Sequence, residues 1–219
     1  MTAHDHAAGC CHGNPQFDGM DPRYRRILWT VIAINGLMFL VEMAAGQFAG
    51  SQALKADALD FLADTLTYGI SLAVIGQSLA LRSTAALAKG VSLTVMGLWV
   101  LGSTTYQVIF LGVPEAEVMG VIGTLALAAN LASVLLLMNY KDGDANVRSV
   151  WLCSRNDAIG NIAVLGASGA VWWTASAWPD LLVAAAMAGL FLTSSVQILR
   201  QAWSERGHAA RSGTPSAIA

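Results

Sequence analysis

Apolar and polar positions alternate along this chain in long blocks, not in the every-second-residue rhythm of a half-buried strand. Six apolar stretches, roughly 27–50, 53–81, 86–111, 116–140, 147–174 and 178–200, each reach the ~20 residues that an α-helix needs to cross a bilayer. The breaks between them are short. YKDGDANVRS at 140–149 is the clearest polar loop, and Pro114 and Pro179 stand where one apolar run stops and the next begins. The pattern predicts an all-α, polytopic membrane protein with six transmembrane helices.

Composition agrees. Of 219 residues, 55% are hydrophobic and 12% are charged, about half of the ~25% charged residues usual in a soluble domain. The opening stretch MTAHDHAAGCCHGNPQFDGMDPRYRR has no apolar core, so it is not read as a signal peptide. Three cysteines, two of them adjacent, argue against a disulfide framework. A net charge of −2 offers no footprint for nucleic acid, and no nucleic-acid partner is expected.

The basic residues inform on orientation instead. Arg23, Arg25 and Arg26 precede the first span, Arg82 and Lys89 flank the second turn, Lys141 and Arg148 the fourth, and Arg200, Arg206 and Arg211 follow the last. The opposite turns carry almost none, Lys55 excepted. The positive-inside rule then predicts both termini cytoplasmic. The expected organisation is a disordered, Cys/His-rich cytoplasmic tail over 1–25, a six-helix transmembrane domain over 26–203 and a short cytoplasmic tail over 204–219. Tryptophans 29, 99, 151, 172, 173, 178 and 203 lie mostly near span ends, which fits an aromatic belt or simple packing.

The second span breaks the apolar pattern. In SQALKADALDFLADTLTYGI (51–70), Asp57, Asp60 and Asp64 are spaced i, i+3, i+7 and share one helical stripe. A carboxylate at mid-bilayer costs about 2.5–3.5 kcal/mol even on insertion scales, so such residues face a bundle interior or a water cavity. Neighbouring carboxylates repel unless a proton or cation lies between them. Asp57, nearest the span's start, is read as interfacial, leaving Asp60 and Asp64 as the pair.

VWLCSRNDAIGNIAVLG (150–166), in the fifth span, places Cys153 and Asp157 on one face with Asn161 one turn on, and Arg155 and Asn156 on other sides. If the second and fifth spans touch, Asp60, Asp64, Cys153 and Asp157 make a four-ligand set suited to a divalent transition metal. The plainer alternatives are carboxyls held protonated for packing, Cys153 as a small apolar packer, and Asp157 paired with Arg155.

Glu42 in the first span reads as a supporting or proton-carrying group, or as a residue facing the interface. Met38 and Met43 beside it read as packing, and Gly46 with Gly50 as a pair permitting close helix contact. In the tail, His4, His6, Cys10, Cys11 and His12 either collect soft metal ions or are incidental to a disordered segment.

On these residues the chain resembles the cation diffusion facilitator family of divalent metal/proton antiporters. The matching features are Asn35, Glu42 and Gly46 before the Gly50–Ser51 turn, then ALKADALDFLAD with its paired acids four residues apart. TAALAKG at the start of the third span, Asn130 in the fourth, Asp157 in the fifth and Pro179–Asp180 before the sixth complete the set. The resemblance spans about 27–203. It implies an exporter of divalent transition metal, zinc and/or cadmium, that exchanges metal for protons by alternating access. Cobalt, iron or manganese is the alternative cargo. It further implies no permanent cofactor, a lipid-embedded homodimer formed through transmembrane helices, no enzymatic activity, and a multi-pass location in a bacterial inner membrane. Asp57, Glu42 and Asn161 would be accessory or proton-pathway residues.

Two features depart from the family pattern. The chain ends soon after the sixth span, so a variant without the cytoplasmic C-terminal domain is expected, and position 153 is Cys in place of His or Asp. A thiolate is softer and favours zinc or cadmium over manganese or magnesium.

Three other classes fit the sequence less well. Membrane phosphoalcohol transferases also cluster aspartates, but 51–70 lacks their Asp-Gly and Ala-Arg pairs. An organic-cation exporter would want more aromatics near Asp60 and Asp157, and a metal sensor would want more soluble surface. If the tail captures metal, deleting residues 1–20 should weaken cellular resistance at low metal; unchanged apparent affinity would leave its composition incidental.

Overall fold

A computed structural model describes residues 21–73, 79–110, 112–141 and 145–212. They form six α-helices: α1 Pro22–Ala49, α2 Gln52–Ala73, α3 Leu79–Ile109, α4 Ala116–Leu137, α5 Ala145–Thr174 and α6 Trp178–Ser212. A 3-10 turn, Met138–Tyr140, extends α4, and no strand occurs among the described residues. The chain is an all-α polytopic membrane protein. Among the described residues, Pro22–Ala49, Ala86–Ile109, Ala116–Tyr140 and Trp178–Arg200 are long and apolar enough to cross a membrane. α2 and α5 have the length, with 22 and 30 residues, but their polar side chains keep them out of that set.

Two helix ends differ from the hydropathy pattern. α1 starts at Pro22 because Asp21 caps it, accepting from the Arg23 N–H at 2.7 Å, with proline in the first turn. α6 continues to Ser212 as one helix instead of ending near 203. QAWSERGHAARS contains no proline and a single glycine, so helix propensity persists where apolarity stops.

α2 occupies the middle of the bundle, against α1, α3, α5 and α6. Every residue of 51–59 is buried, so this half of the helix has no lipid-facing side. That enclosure is what allows it to carry Lys55 and Asp57. α1 runs antiparallel to it, with Gly36 against Thr65 and Gly46 against Leu54 and Lys55, where a Cβ would come within 3.0 Å of the lysine side chain. α3 and α6 cross closely through Gly90 and Gly97, whose added Cβ atoms would lie 2.8 Å from Leu199 and 2.9 Å from Leu192. Thr94 and Ser195 hydroxyls meet at 2.5 Å across the same seam.

One end of the bundle is stitched together. Gly50, at φ 68°, ends α1 in the left-handed conformation that glycine adopts without strain, and its N–H returns to the Gly46 carbonyl. Gly50 therefore serves as a stop and has no packing neighbour, so of the two glycines only Gly46 makes a helix contact. The Ser51 hydroxyl accepts from Leu54 N–H at 3.0 Å. The Asp180 carboxylate, from the first turn of α6, accepts from Ser51 Oγ at 2.5 Å, Gln52 N–H at 2.8 Å and Ala53 N–H at 3.0 Å. A carboxylate from one helix thus holds the positive end of another. Glu115 N–H donates to the Ala49 carbonyl at 3.0 Å, tying in the segment before α4.

Trp172, Trp173 and Trp178 are exposed at this end, and Trp29 and Trp203 toward the other. Trp99 sits mid-helix, exposed on α3.

Asp180→Ala would leave two buried N–H groups and a hydroxyl without their acceptor, a loss of about 1–3 kcal/mol. Its thermal midpoint in detergent should fall, with Asp180→Asn recovering part of the loss. An unchanged midpoint for Asp180→Ala would show that the cap adds nothing to stability.

Candidate metal site

α2 and α5 do touch, and with α3 and α6 they enclose a cavity of about 590 Å³. Asp60 and Asp64 from α2 and Cys153 and Asp157 from α5 all line it. The i, i+4 spacing in each helix places both members of a pair on the wall one turn apart. Asp157 is the common neighbour of Asp60 and Asp64, and its Oδ2 is buried with no hydrogen-bond partner. Asp64 is engaged otherwise. The Tyr68 hydroxyl, one turn along α2, donates to its Oδ2 and lies 3.3 Å from Ser154 Oγ.

Cys153 is a free thiol. It borders both the cavity and an apolar cluster built on Tyr24, Leu28 and Leu72. Among the described residues, no three Cys, His, Asp or Glu side chains converge into a metal-holding group. The four residues share a wall without closing into a sphere.

A second polar layer lies one turn nearer the stitched end. Asp57, expected at the interface, is only 2% exposed. Asn161 Nδ2 donates to its Oδ2 at 2.6 Å, and Asn130 Nδ2 on α4 donates to Asn161 Oδ1 at 2.9 Å. Glu42 is fully buried beside Asp57, and neither carboxyl oxygen has a partner. Asp57 and Glu42 are therefore interior residues, because α1 and α5 close over the start of α2, with Asn130 of α4 behind Asn161. Two carboxyl groups this close have no donor between them unless a proton or cation is shared.

Asn156, assigned by spacing to another side of the helix, also lines the cavity. The cavity is bounded by α6 as well as α2, so it takes in a wider arc of α5 than one stripe. Arg155 is exposed and donates to Asn156 Oδ1 at 3.3 Å. His4, His6, Cys10, Cys11 and His12 lie outside the described residues. Sequence reasoning gives Tyr68 no role, uses Lys89 for orientation and as part of a matching segment, and takes Asp180 as a matching feature without seeing its cap. Only Tyr68 carried a local signal, four residues after Asp64.

Residues 28–205 match the sequence profile of the cation efflux transmembrane domain. The chain belongs to the cation efflux family. Within the family's relatives, the metal cation efflux system protein CzcD of Cupriavidus metallidurans is 26% identical over 209 residues, covering 88% of this chain and 62% of its own length. The cation efflux system protein CzcD of an Alcaligenes species is 26% identical over 194 residues, covering 81% and 58%. The zinc transporter ZitB of Escherichia coli is 26% identical over 198 residues, covering 84% and 63%. The chain thus spans about three fifths of the length of the curated relatives it matches.

The asparagine relay gives a direct test of the buried layer. Asn161→Leu removes both the donor to Asp57 and the acceptor for Asn130, at about 1–3 kcal/mol for each buried polar group left unpaired. It should lower the thermal midpoint more than Asn130→Leu, which removes one bond. Equal midpoints would show that the Asp57 contact contributes nothing.

Proposed function

We propose that this chain exports a divalent transition metal, zinc and/or cadmium, in exchange for protons by alternating access, with Asp60, Asp64, Cys153 and Asp157 holding the metal. The observation that carries the reading is the single cavity in a cation efflux transmembrane domain walled by all four residues. Metal is cargo here, and no permanent cofactor is invoked.

The ligands must be deprotonated to bind metal, so loading releases protons and unloading takes them up. Protons carried on Asp60, Asp64 and Asp157 let the empty site return without stranding bare charge in the membrane. The orphan Oδ2 of Asp157 is a ready position for either proton or metal. Tyr68 fixes one oxygen of Asp64 and leaves the other to the cavity. The cavity wall extends from Asp60 toward Gln197 and Ile198, the end where Arg23, Arg25, Arg26, Lys141 and Arg200 gather. With both termini cytoplasmic, that opening would face the cytoplasm, and the Asp180 stitch would close the far side.

Glu42, Asp57 and Asn161 form an accessory layer suited to proton passage. A thiol among the ligands favours zinc or cadmium, and the names of the zinc transporter and metal efflux relatives support the same class. Cobalt, iron or manganese is the alternative cargo. We place the chain in a bacterial inner membrane, as a transporter and not an enzyme. It would work as a homodimer packed through its transmembrane helices, with the tail residues His4, His6, Cys10, Cys11 and His12 as a capture segment.

The deciding experiment is a proteoliposome panel of zinc, cadmium, cobalt, manganese and iron, with and without a pH gradient. Asp64→Ala or Asp157→Ala should abolish metal-dependent proton flux; retained flux removes the core of the proposal. In the same panel Cys153→Ser should lower the cadmium-to-manganese preference, and an unchanged preference excludes Cys153 as a ligand.

A further inference from the structure

The cavity wall contains one side chain of opposite character to the rest. Lys89, from the first half of α3, faces into the same 590 Å³ space as Asp60, Asp64, Cys153 and Asp157. It also lines a second, adjoining cavity of about 240 Å³, together with Leu66, Thr67, Ile70 and Ser92. Lys89, Thr67, Ala63 and Leu93 border both spaces. The lysine therefore stands at the doorway between an acidic chamber and a side pocket. That pocket is mainly apolar but carries the Thr67 and Ser92 hydroxyls. A four-carbon stem with freely rotating bonds lets the ammonium rest in either one.

We propose that Lys89 is a tethered counter-cation: it neutralises the carboxylate chamber when no metal is bound, and incoming metal displaces it into the side pocket. This rests on the metal-site reading above and adds a residue that sets how hard the site is to load. Among the described residues, the titratable and charged groups facing the chamber are Asp60 and Asp64 from α2, Cys153 and Asp157 from α5, and Lys89 from α3, with none from the α6 wall. The positive charge of Lys89 bears on both Asp64 and Cys153.

A cation fixed by a tether is present at high effective concentration, so it excludes loosely held ions more than a metal that several ligands grip at once. It also takes the place of a proton in the empty carrier. The empty site then needs one fewer proton to return without bare charge. Removing the lysine should tighten metal binding and raise the number of protons released on loading.

The test is calorimetric titration of cadmium into the purified chain in detergent at one pH, repeated in buffers of different ionisation heat so that released protons are counted. Asp157→Asn should abolish binding and thereby identify the chamber as the site. K89M should bind cadmium about tenfold more tightly, the scale of one unit charge at several ångströms in a partly buried site, and release up to about one more proton per metal. K89Q, with a polar side chain of similar reach, should do the same if K89M folds poorly. Parent-like or weaker affinity with an unchanged proton count in both variants, while Asp157→Asn still abolishes binding, overturns the role of Lys89 and leaves the site standing. If Asp157→Asn binds like the parent, the site itself is misplaced and this inference falls with it.

Discussion

The arrangement of the bundle follows from burying the charged stripe of α2 in a structure whose outside must be apolar. A helix with Lys55, Asp57, Asp60 and Asp64 cannot face lipid on any of those sides, so four other helices surround it. What they show the outside is then free to be apolar: Leu37, Leu40 and Phe48 on α1, Val95 and Tyr106 on α3, Leu182 and Leu190 on α6 are all exposed. The inverted pattern, polar within and apolar without, is the expected consequence of placing the charged helix at the centre.

Not all of the buried polarity is handled alike. Asp180 is satisfied by three donors at the start of α2, and Asp57 has the fixed Asn161–Asn130 relay. Buried polar groups with complete partners specify one geometry. Asp157 keeps a free oxygen and faces the cavity along with Asp60. Partnered and unpartnered groups thus occur side by side along α2, with Glu42 unpartnered next to Asp57 and Asp64 held by Tyr68 next to Asp157. A site that takes up and releases ions needs the second kind, and the first kind supplies the rigid frame around it.

Much of this was legible from the chain alone. Block hydropathy located six helices, and i, i+4 spacing picked out the four residues that line one cavity. The errors share a physical origin. A stripe gives the face of a helix but not what covers it, so Asp57 reads as interfacial although it is buried and bonded to Asn161, 104 positions away. The same stripe logic missed Asn156, because a cavity with two walls takes in more than one stripe. Asp180 caps α2 and Lys89 lines the cavity from helices remote in sequence, and local spacing carries no trace of either contact. Hydropathy also marks where the membrane would end and not where the helix does, which is why α6 runs on to Ser212.

The two helices that fall short of apolarity, α2 and α5, are the ones that bring carboxyl groups to the cavity. In a water-soluble protein such polar interruptions would mark a surface. In a lipid-facing bundle the cost of each buried carboxyl is too large to be incidental, so loss of apolarity in a helix of spanning length is itself a locator of function. α2 and α6 sharpen the point, because the Asp180 contacts join them at one end and a cavity separates them toward the other. Hydrogen bonds hold the helices together at one end and a carboxyl-lined cavity lies toward the other, an asymmetry of the kind that one-sided access to a buried ion requires.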